Sequence, residues 1–276
     1  MSSVLYDIPG PRARARHHLY SVVGVILIGG LLGYIGWKLW QAEQITPENW
    51  TFLGEPDILM QLLEALGVTL SLAAFAIVLA IAFGAVFAAG RLSDHAVVRW
   101  PSIAVIEFFR AVPVLLMMYF LNFSYSSVLG AYGSVVVALM LYNGSVLAEV
   151  FRAGILAVPT GQREAAYAIG MRKGQVLRMI QAPQAISTML PAIISQCVVA
   201  LKDTALGFAI GAPELSHTAE LIYTAITYNN PIAVAIVLMA VYVTINYSLS
   251  RLARWLESRM RRQGKEVVHT TKQQPV

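Results

Sequence analysis

Four ionisable side chains interrupt apolar stretches of this sequence, where a charge is costly. Glu107 and Arg110 lie in one stretch, and Lys202 and Asp203, followed by Thr204, lie in another. A charge at the centre of a membrane costs several kcal/mol unless it is paired or faces water, so each is a candidate functional residue. Glu107 and Arg110 are three residues apart and can pair on one helical face, whereas adjacent Lys202 and Asp203 need partners elsewhere.

A second candidate is a charged segment that Pro159 and Pro183 bracket. Its apolar residues recur at helical intervals that glycines interrupt, which predicts two short amphipathic helices joined by a turn at Met171–Gly174. Such a pair cannot bury its apolar face alone, so we expect it to bind lipid headgroups or a partner protein. Its charged residues are Arg163, Glu164, Arg172, Lys173 and Arg178.

The composition identifies an integral membrane protein. The 276 residues are 57% hydrophobic and only 13% charged, against about 25% charged in an average soluble domain. The net charge of +5 does not indicate a nucleic-acid partner, because the basic residues flank apolar stretches and form no single face. Cys197 is the only cysteine, which excludes a disulfide within the chain.

Motifs for catalysis are missing from the sequence. It contains no Gly-x-x-x-x-Gly-Lys-Ser/Thr phosphate loop and no His-Glu-x-x-His or cysteine–histidine cluster. The chain therefore cannot cleave ATP in the usual way, and nothing suggests a metalloenzyme. We expect no catalytic residue, no cofactor and no metal in this chain.

Six apolar stretches are long enough to cross the membrane, since about 20 residues span about 30 Å of hydrocarbon. The sequence therefore predicts an all-α integral membrane protein with six transmembrane helices. The first could instead be a secretory signal, but Trp37, Lys38 and Trp40 close it where a cleavage site should be, which favours an uncleaved anchor. The spans are about Leu19–Trp40, Gly67–Gly90, Pro101–Phe123, Tyr132–Phe151, Ile186–Ile210 and Ile232–Leu252.

The basic residues predict the orientation. Of the 20 Lys and Arg residues, 17 fall in the N-terminus, the C-terminus and two of the segments between spans. The alternate segments, about 41–57, 124–131 and 211–231, contain none. Because Lys and Arg concentrate in cytoplasmic segments, both termini are predicted to be cytoplasmic.

The charged segment carries a longer pattern: Glu164-Ala-Ala, three residues, Gly170, nine residues, Ile, two residues and Pro183. It resembles the loop shared by the permease subunits of bacterial ATP-driven (ABC) importers. In that family the loop forms a coupling helix that sits in a cleft on a cytoplasmic ATPase. The resemblance assigns this role to Gly161, Glu164, Ala165, Ala166 and Gly170.

Further motifs resemble those of polar amino-acid permeases, and among these the glutamate-uptake permeases of Gram-positive bacteria. The resemblance covers about Gly67 to Glu220. Three departures stand out: Ala111-Val112 replaces Gly-Thr, Ala182 replaces Leu, and Ala205 replaces Ser. The first and third touch the expected substrate path. The motifs are Glu107–Pro113 (Glu-x-Phe-Arg-Gly-Thr-Pro), Ala148–Ile155 (Ala-Glu-x-Phe-Arg-Gly-Gly-Ile), Pro183–Ala185 (Pro-Gln-Ala) and Leu201–Leu206 (Leu-Lys-Asp-Thr-Ser-Leu).

The resemblance implies a type I ABC importer permease fold in a bacterial plasma membrane, with a five-helix core and one extra N-terminal helix. It implies two cytoplasmic ATPase subunits that use ATP and Mg, a second permease subunit, identical or homologous, and an extracytoplasmic binding protein. The implied organisation is a basic N-terminus (1–18), the extra helix (19–40), the permease core (58–255) with its coupling loop (155–185), and a basic cytoplasmic tail (256–276).

An amino-acid substrate gives the intramembrane charges a role, because a site with both signs can replace the hydration shell of an ammonium and a carboxylate. Arg110 would bind the carboxylate through its guanidinium. Lys202 or Thr204 would bind the same or a second carboxylate, and Asp203 or Glu107 the ammonium. The first choice of substrate is glutamate or another acidic or amide amino acid. The alternative is that these charges only pair with one another and fix the helix register.

Two other function classes remain open from the sequence. An ATP-independent transporter or channel would take up solute without the ATPase. A membrane enzyme or scaffold would use the cytoplasmic loop to bind some other cytosolic partner.

Overall fold

The described part of the chain is almost entirely helical. A computed structural model describes residues 10–225 and 230–270. Residues 1–9, 226–229 and 271–276, parts of the predicted N-terminus, third outer segment and tail, lie outside the described residues. The helices are α1 (Pro11–Gln41), α2 (Pro56–Arg91), α3 (Ala96–Ala111), α4 (Val114–Leu156), α5 (Thr160–Ala168), α6 (Lys173–Gln175), α7 (Ala182–Asp203), α8 (Leu215–Thr224) and α9 (Pro231–Thr270). Two 3-10 helices, Pro47–Gly54 and Thr204–Ile210, and a π-helical segment, Val176–Gln181, connect them.

Five helices are long and apolar enough to cross a membrane, which confirms the predicted all-α membrane fold. Four of them, α1, α2, α7 with its 3-10 extension, and α9, coincide with the first, second, fifth and sixth predicted spans. The fifth, α4, contains the fourth predicted span and the end of the third. The remainder of the third span is α3.

Helix α4 is two helices joined at a sharp break. Its 43 residues would extend about 65 Å if straight, twice the thickness of the hydrocarbon core. Tyr125 and Gly130 leave the helical region, and Gly130 has φ 59° and ψ −175°, a conformation that suits glycine. Met117 before the break and Leu139 after it lie in one buried cluster, so the two halves fold back on each other.

The third predicted span is therefore built in two pieces. Pro113 lacks an N–H group and cannot continue α3, so a new helix starts at Val114. The span consists of α3 followed by the first half of α4. The pattern of apolar residues across Pro101–Phe123 predicted the position of this span but not its interruption.

The most extensive helix contact joins α2 to the second half of α4. At its centre Gly84 faces Gly144: a Cβ on Gly84 would lie 2.9 Å from the carbonyl oxygen of Gly144. Ser71 and Tyr132 meet at one end of the contact, with their hydroxyl oxygens 3.0 Å apart. Small residues allow this close approach, which is a common way to join helices within a membrane.

Helix α1 packs differently from all the others. None of its described side chains is buried, and its membrane-length segment is 0% buried. The other spans bury residues in clusters, such as that of Leu72, Met118 and Val135. The extra N-terminal helix thus contributes nothing to the described core.

We predict that Gly84→Ala destabilises the protein, because the new methyl group would collide with backbone atoms of α4. Overpacking of this kind costs about 1–3 kcal/mol. Gly67→Ala on the same helix is the matched control, since a Cβ there meets nothing within 4 Å, and it should be neutral or stabilising by up to about 1 kcal/mol. Thermal unfolding of the purified proteins in detergent measures both. Equal melting temperatures for the two variants would contradict the close α2–α4 contact.

Candidate functional site: the coupling loop and a cavity at Lys202

Helix α5 forms the first half of the predicted coupling loop, and Gly170 follows its C-cap residue, Ile169. The N–H of Gly170 donates to the Tyr167 carbonyl (2.9 Å) and the N–H of Met171 donates to the Ala166 carbonyl (3.1 Å). Gly170 has φ +83°, a left-handed conformation that L-residues with a side chain rarely adopt. These features define a Schellman C-cap, for which glycine is the preferred residue.

The two faces of α5 differ in exposure. Ala166 is buried, whereas Gly161, Glu164 and Ala165 are exposed. Ile169, beside the cap, is 79% exposed. An apolar side chain this open on a charged loop leaves a surface that nothing in the described chain covers.

The second half of the loop differs from the prediction. The turn lies at Ile169–Arg172 rather than at Met171–Gly174, and the second helix is not short. From Lys173 it continues through the π-helical segment into α7 without a break at Pro183. Pro183 has no N–H group to donate within this continuous helix, and it lies just after the π-helical segment Val176–Gln181, where the regular α-helical hydrogen-bond pattern is already interrupted. The loop is therefore directly continuous with a membrane helix.

Side chains attach the loop to the ends of α2 and α4. Lys173 pairs with Asp94 and also donates to the Leu92 carbonyl at 2.9 Å. The Gln181 amide donates to the Ile155 carbonyl at 3.3 Å. The hydrogen bond from Lys173 lowers the pKa of Asp94 below its ordinary value, so the carboxylate is charged and paired at neutral pH.

A charge network lies beside these attachments, with Arg91 at its centre. Nη1 of Arg91 is 2.9 Å from Oε1 of Glu107 and 2.7 Å from Oε1 of Glu149. Glu107 also pairs with Arg110 at 3.5 Å, and Glu149 pairs with Arg152 at 3.0 Å. One guanidinium at the end of α2 thus connects α3 and α4.

This network bears out the predicted pairing of Glu107 with Arg110 but adds a partner. The sequence placed Arg91 in an inner segment between spans and gave it no role. Its spacing from Glu107 and Glu149 is too long for any helical periodicity to reveal the contact. The substrate role of Glu107 and Arg110 stays a prediction.

The other predicted charges lie near a cavity of about 520 Å³ between the end of α7, α8 and α9. Lys202 is exposed and lines the cavity together with Ser216, Tyr242 and Asn246. Neither Lys202 nor half-buried Asp203 forms an ion pair with any residue of the described ranges. These two charges therefore differ from the paired charges around Arg91.

Thr204 does not line this cavity. Its side chain is fully buried, and its hydroxyl donates to the Leu201 carbonyl at 2.7 Å. The structure brings Lys202, Asp203 and Thr204 together only as chain neighbours, and no ion pair connects them to Glu107 or Arg110 in the described chain. The five candidates thus form two separate groups.

Glu214 is a buried polar residue that the sequence does not single out. It lies in the predicted outer segment 211–231, but its side chain is 0% exposed. It caps α8 by accepting from the N–H groups of Ser216 (2.8 Å) and His217 (2.9 Å), and the Tyr242 hydroxyl donates to it at 3.1 Å. Burial raises its pKa above the ordinary value, and the two N–H donors oppose this shift.

A sequence signal for this arrangement existed. Leu215, Ala219 and Ile222 recur at the helical spacing of four and three residues and are buried. An acidic residue directly before such a pattern is favourable at a helix N-terminus. The predicted outer segment 211–231 therefore contains a packed helix and is not simply a solvated loop.

Comparison with known proteins identifies the family. The family described as "binding-protein-dependent transport system inner membrane component" matches residues 80–262. The glutamate transport system permease protein GluD of Corynebacterium glutamicum is 39% identical over 242 residues, covering 84% of this chain and 88% of that protein. The probable glutamine ABC transporter permease protein GlnP of Bacillus subtilis is 35% identical, covering 70% of this chain and 90% of that protein.

Two solved ABC transporter structures are also similar to this chain. The crystal structure of an amino acid ABC transporter with histidines has a TM-score of 0.68 and 29% identity, and covers 75% of this chain and 98% of that chain. The MetNI methionine ABC transporter shares the fold, with a TM-score of 0.58, 21% identity and coverage of 72% of this chain and 98% of that chain. The chain belongs to the family of binding-protein-dependent transport system inner membrane components.

Proposed function

We propose that this chain forms the translocation path of an ATP-driven amino-acid importer, with glutamate or another acidic or amide amino acid as substrate. The observation that carries the proposal is the exposed α5 surface around Glu164, in a loop that is continuous with α7. The energy would come from a cytoplasmic ATPase, which uses ATP and Mg, bound to this surface.

The construction of the loop supports a coupling role. An exposed Glu164 and an exposed Ile169 offer a charged and an apolar contact to a partner. The Lys173–Asp94 pair attaches the same loop to the end of α2, and the Arg91 network joins α2 in turn to α3 and α4. A push on α5 would therefore move several helices as one body, which suits a rigid-body change of access between the two sides of the membrane.

The contrast between the two charge groups supports a substrate site near Lys202. Around Arg91 every carboxylate has a basic partner. This is the pattern expected if these charges only pair with one another and fix the helix register. Lys202 and Asp203 have no such partner in the described chain, and Lys202 faces a cavity with the hydroxyls of Ser216 and Tyr242. An amino acid has an ammonium and a carboxylate that could pair with these two charges.

The relatives' names support the substrate class, since GluD and GlnP are named for glutamate and glutamine. The proposed assembly contains two ATPase subunits, a second permease, identical or homologous, and an extracytoplasmic binding protein. Both termini would be cytoplasmic, on the side of the α5 loop.

We predict that the double substitution Glu164→Ala with Gly170→Ala uncouples transport from ATP hydrolysis. Alanine in a left-handed conformation costs about 1–2 kcal/mol, and this corresponds to a roughly tenfold loss of the coupled state. Uptake per ATP hydrolysed, measured in proteoliposomes with the partner ATPase and binding protein, should fall accordingly.

Gly174→Ala in the same loop is the matched control, because a Cβ there has open space and its φ is not positive. Delivery of substrate by the binding protein should be unchanged in both variants. Normal uptake in the double variant would contradict the coupling role, and so would an affinity-tagged chain that purifies without any ATPase.

We further predict that Lys202→Ala and Asp203→Ala abolish uptake while the complex still assembles. The reason is the loss of a charge that would bind the ammonium or carboxylate of the substrate. Lys38→Ala, at the far end of α1, is a control cation that should leave uptake intact. Size-exclusion chromatography shows whether the complex is intact. Loss of uptake together with loss of the complex would support a purely structural role for the charge. Competition by unlabelled amino acids then defines the substrate.

A further inference from the structure

A basic cavity of about 380 Å³ lies at the predicted cytoplasmic end of the bundle. It is enclosed by the turn between α2 and α3, the end of α4, and the α5–α6 loop. Asp94 is its only acidic lining residue. The basic side chains that line it are Arg91, Arg99, Arg152, Arg163 and Lys173.

The positive charge in this cavity exceeds what the protein neutralises. Arg91 and Arg152 pair with Glu149, and Lys173 pairs with Asp94. Arg99 forms no ion pair with the described residues; it donates to the Ser93 carbonyl at 3.4 Å, and, beside the larger effect of the Lys173 hydrogen bond, its charge contributes to the lowered pKa of Asp94. Arg163 has no ion-pair partner among the residues that the structure describes. These two guanidinium groups, from α3 and α5, are available to an anion.

An apolar groove of about 320 Å³ adjoins the cavity and shares Ile155 and Leu177 with it. Every side chain that lines the groove is apolar. Along α2 the groove follows Ile81, Ala85 and Ala89, and the small side chains of the two alanines leave space against α7. The same helix then reaches Arg91 and the basic cavity, so the apolar and basic parts follow each other along the direction of the membrane normal.

We infer that this joined cavity and groove binds an anionic phospholipid of the cytoplasmic leaflet. The phosphate would contact Arg99 and Arg163, and one acyl chain would lie in the groove along Ala85 and Ala89. Charge complementarity and the continuity of the two parts argue for this occupant. A free phosphate would leave the groove unfilled, and the groove extends along spans that lie within hydrocarbon.

The bound lipid would connect parts of the permease that the coupling loop must move together. Arg163 belongs to α5, Arg99 to α3, and the groove to α2 and α7. A single ligand would thus contact the coupling helix and three further helices. The lipid composition of the inner leaflet would therefore affect how these helices are connected.

Native mass spectrometry of the full chain, purified in detergent, tests the inference. The probes are phosphatidylglycerol and phosphatidylcholine with identical acyl chains, with inorganic phosphate as a competitor. Phosphatidylglycerol should bind more tightly than phosphatidylcholine. Arg99→Gln and Arg163→Gln should each weaken phosphatidylglycerol by roughly fivefold, the usual value of one basic residue near an anionic lipid.

Matched variants separate the site from general electrostatics. Arg172→Gln with Arg178→Gln removes two exposed charges of the same loop that do not line the cavity, and phosphatidylglycerol binding should be unchanged. Ala85→Phe should fill the groove and weaken both lipids, whereas Ala82→Phe, exposed on the same helix outside the groove, should not.

Three results would overturn the inference. Equal losses in the cavity and control arginine variants would indicate a non-specific surface effect. Competition by inorganic phosphate together with no effect of Ala85→Phe would indicate a free anion site. Binding of both lipids that Ala85→Phe leaves intact, with no preference for phosphatidylglycerol, would indicate that another occupant, such as a protein segment, covers the groove.

Discussion

The close contact between α2 and the second half of α4 determines where everything else lies. Gly84 and Gly144 allow the two backbones to approach. The helices run parallel, because Ser71 meets Tyr132 at one end and Arg91 meets Glu149 at the other. Without this approach the single guanidinium of Arg91 could not bridge α3 and α4, and the coupling loop would lose the framework to which it is attached.

The charged residues of the bundle fall into two groups, according to whether they form ion pairs within the described chain. Around Arg91 the carboxylates and guanidinium groups neutralise one another and fix three helices at the predicted cytoplasmic end. Near the cavity of Lys202 the charges are left without an ion pair in the described chain. A membrane protein keeps such groups only where water or a ligand can reach them. The bundle thus has one end with paired charges and a separate region, near Lys202, where the described charges form no ion pair.

Much of this arrangement could be read from the sequence. Apolar length predicted the spans, and the glutamate and glycine of the loop predicted an exposed helix with a defined end. The role of Gly170 as a left-handed cap depends only on neighbouring residues, so the position of this glycine in the sequence indicates it. The helical pairing of Glu107 and Arg110 was equally local.

The remaining features depend on contacts between residues far apart in the chain. Arg91 meets Glu149 only because two glycines bring their helices together. Glu214 is buried because α8 packs against α2 and α9, and a hydropathy pattern assigns its acidic segment to solvent. Pro183 is a predicted boundary of the loop, yet the helix continues past it into α7 through the π-helical segment Val176–Gln181, which no sequence periodicity indicates.

We propose that this permease moves amino acids with energy from a separate ATPase. The most direct test is uptake of labelled glutamate and glutamine into proteoliposomes that contain the chain together with the ATPase and binding protein that purify with it. Enclosed ATP should support uptake, and a non-hydrolysable analogue should not. Equal uptake with the analogue, or with the ATPase omitted, would contradict an ATP-driven mechanism and indicate an ATP-independent transporter.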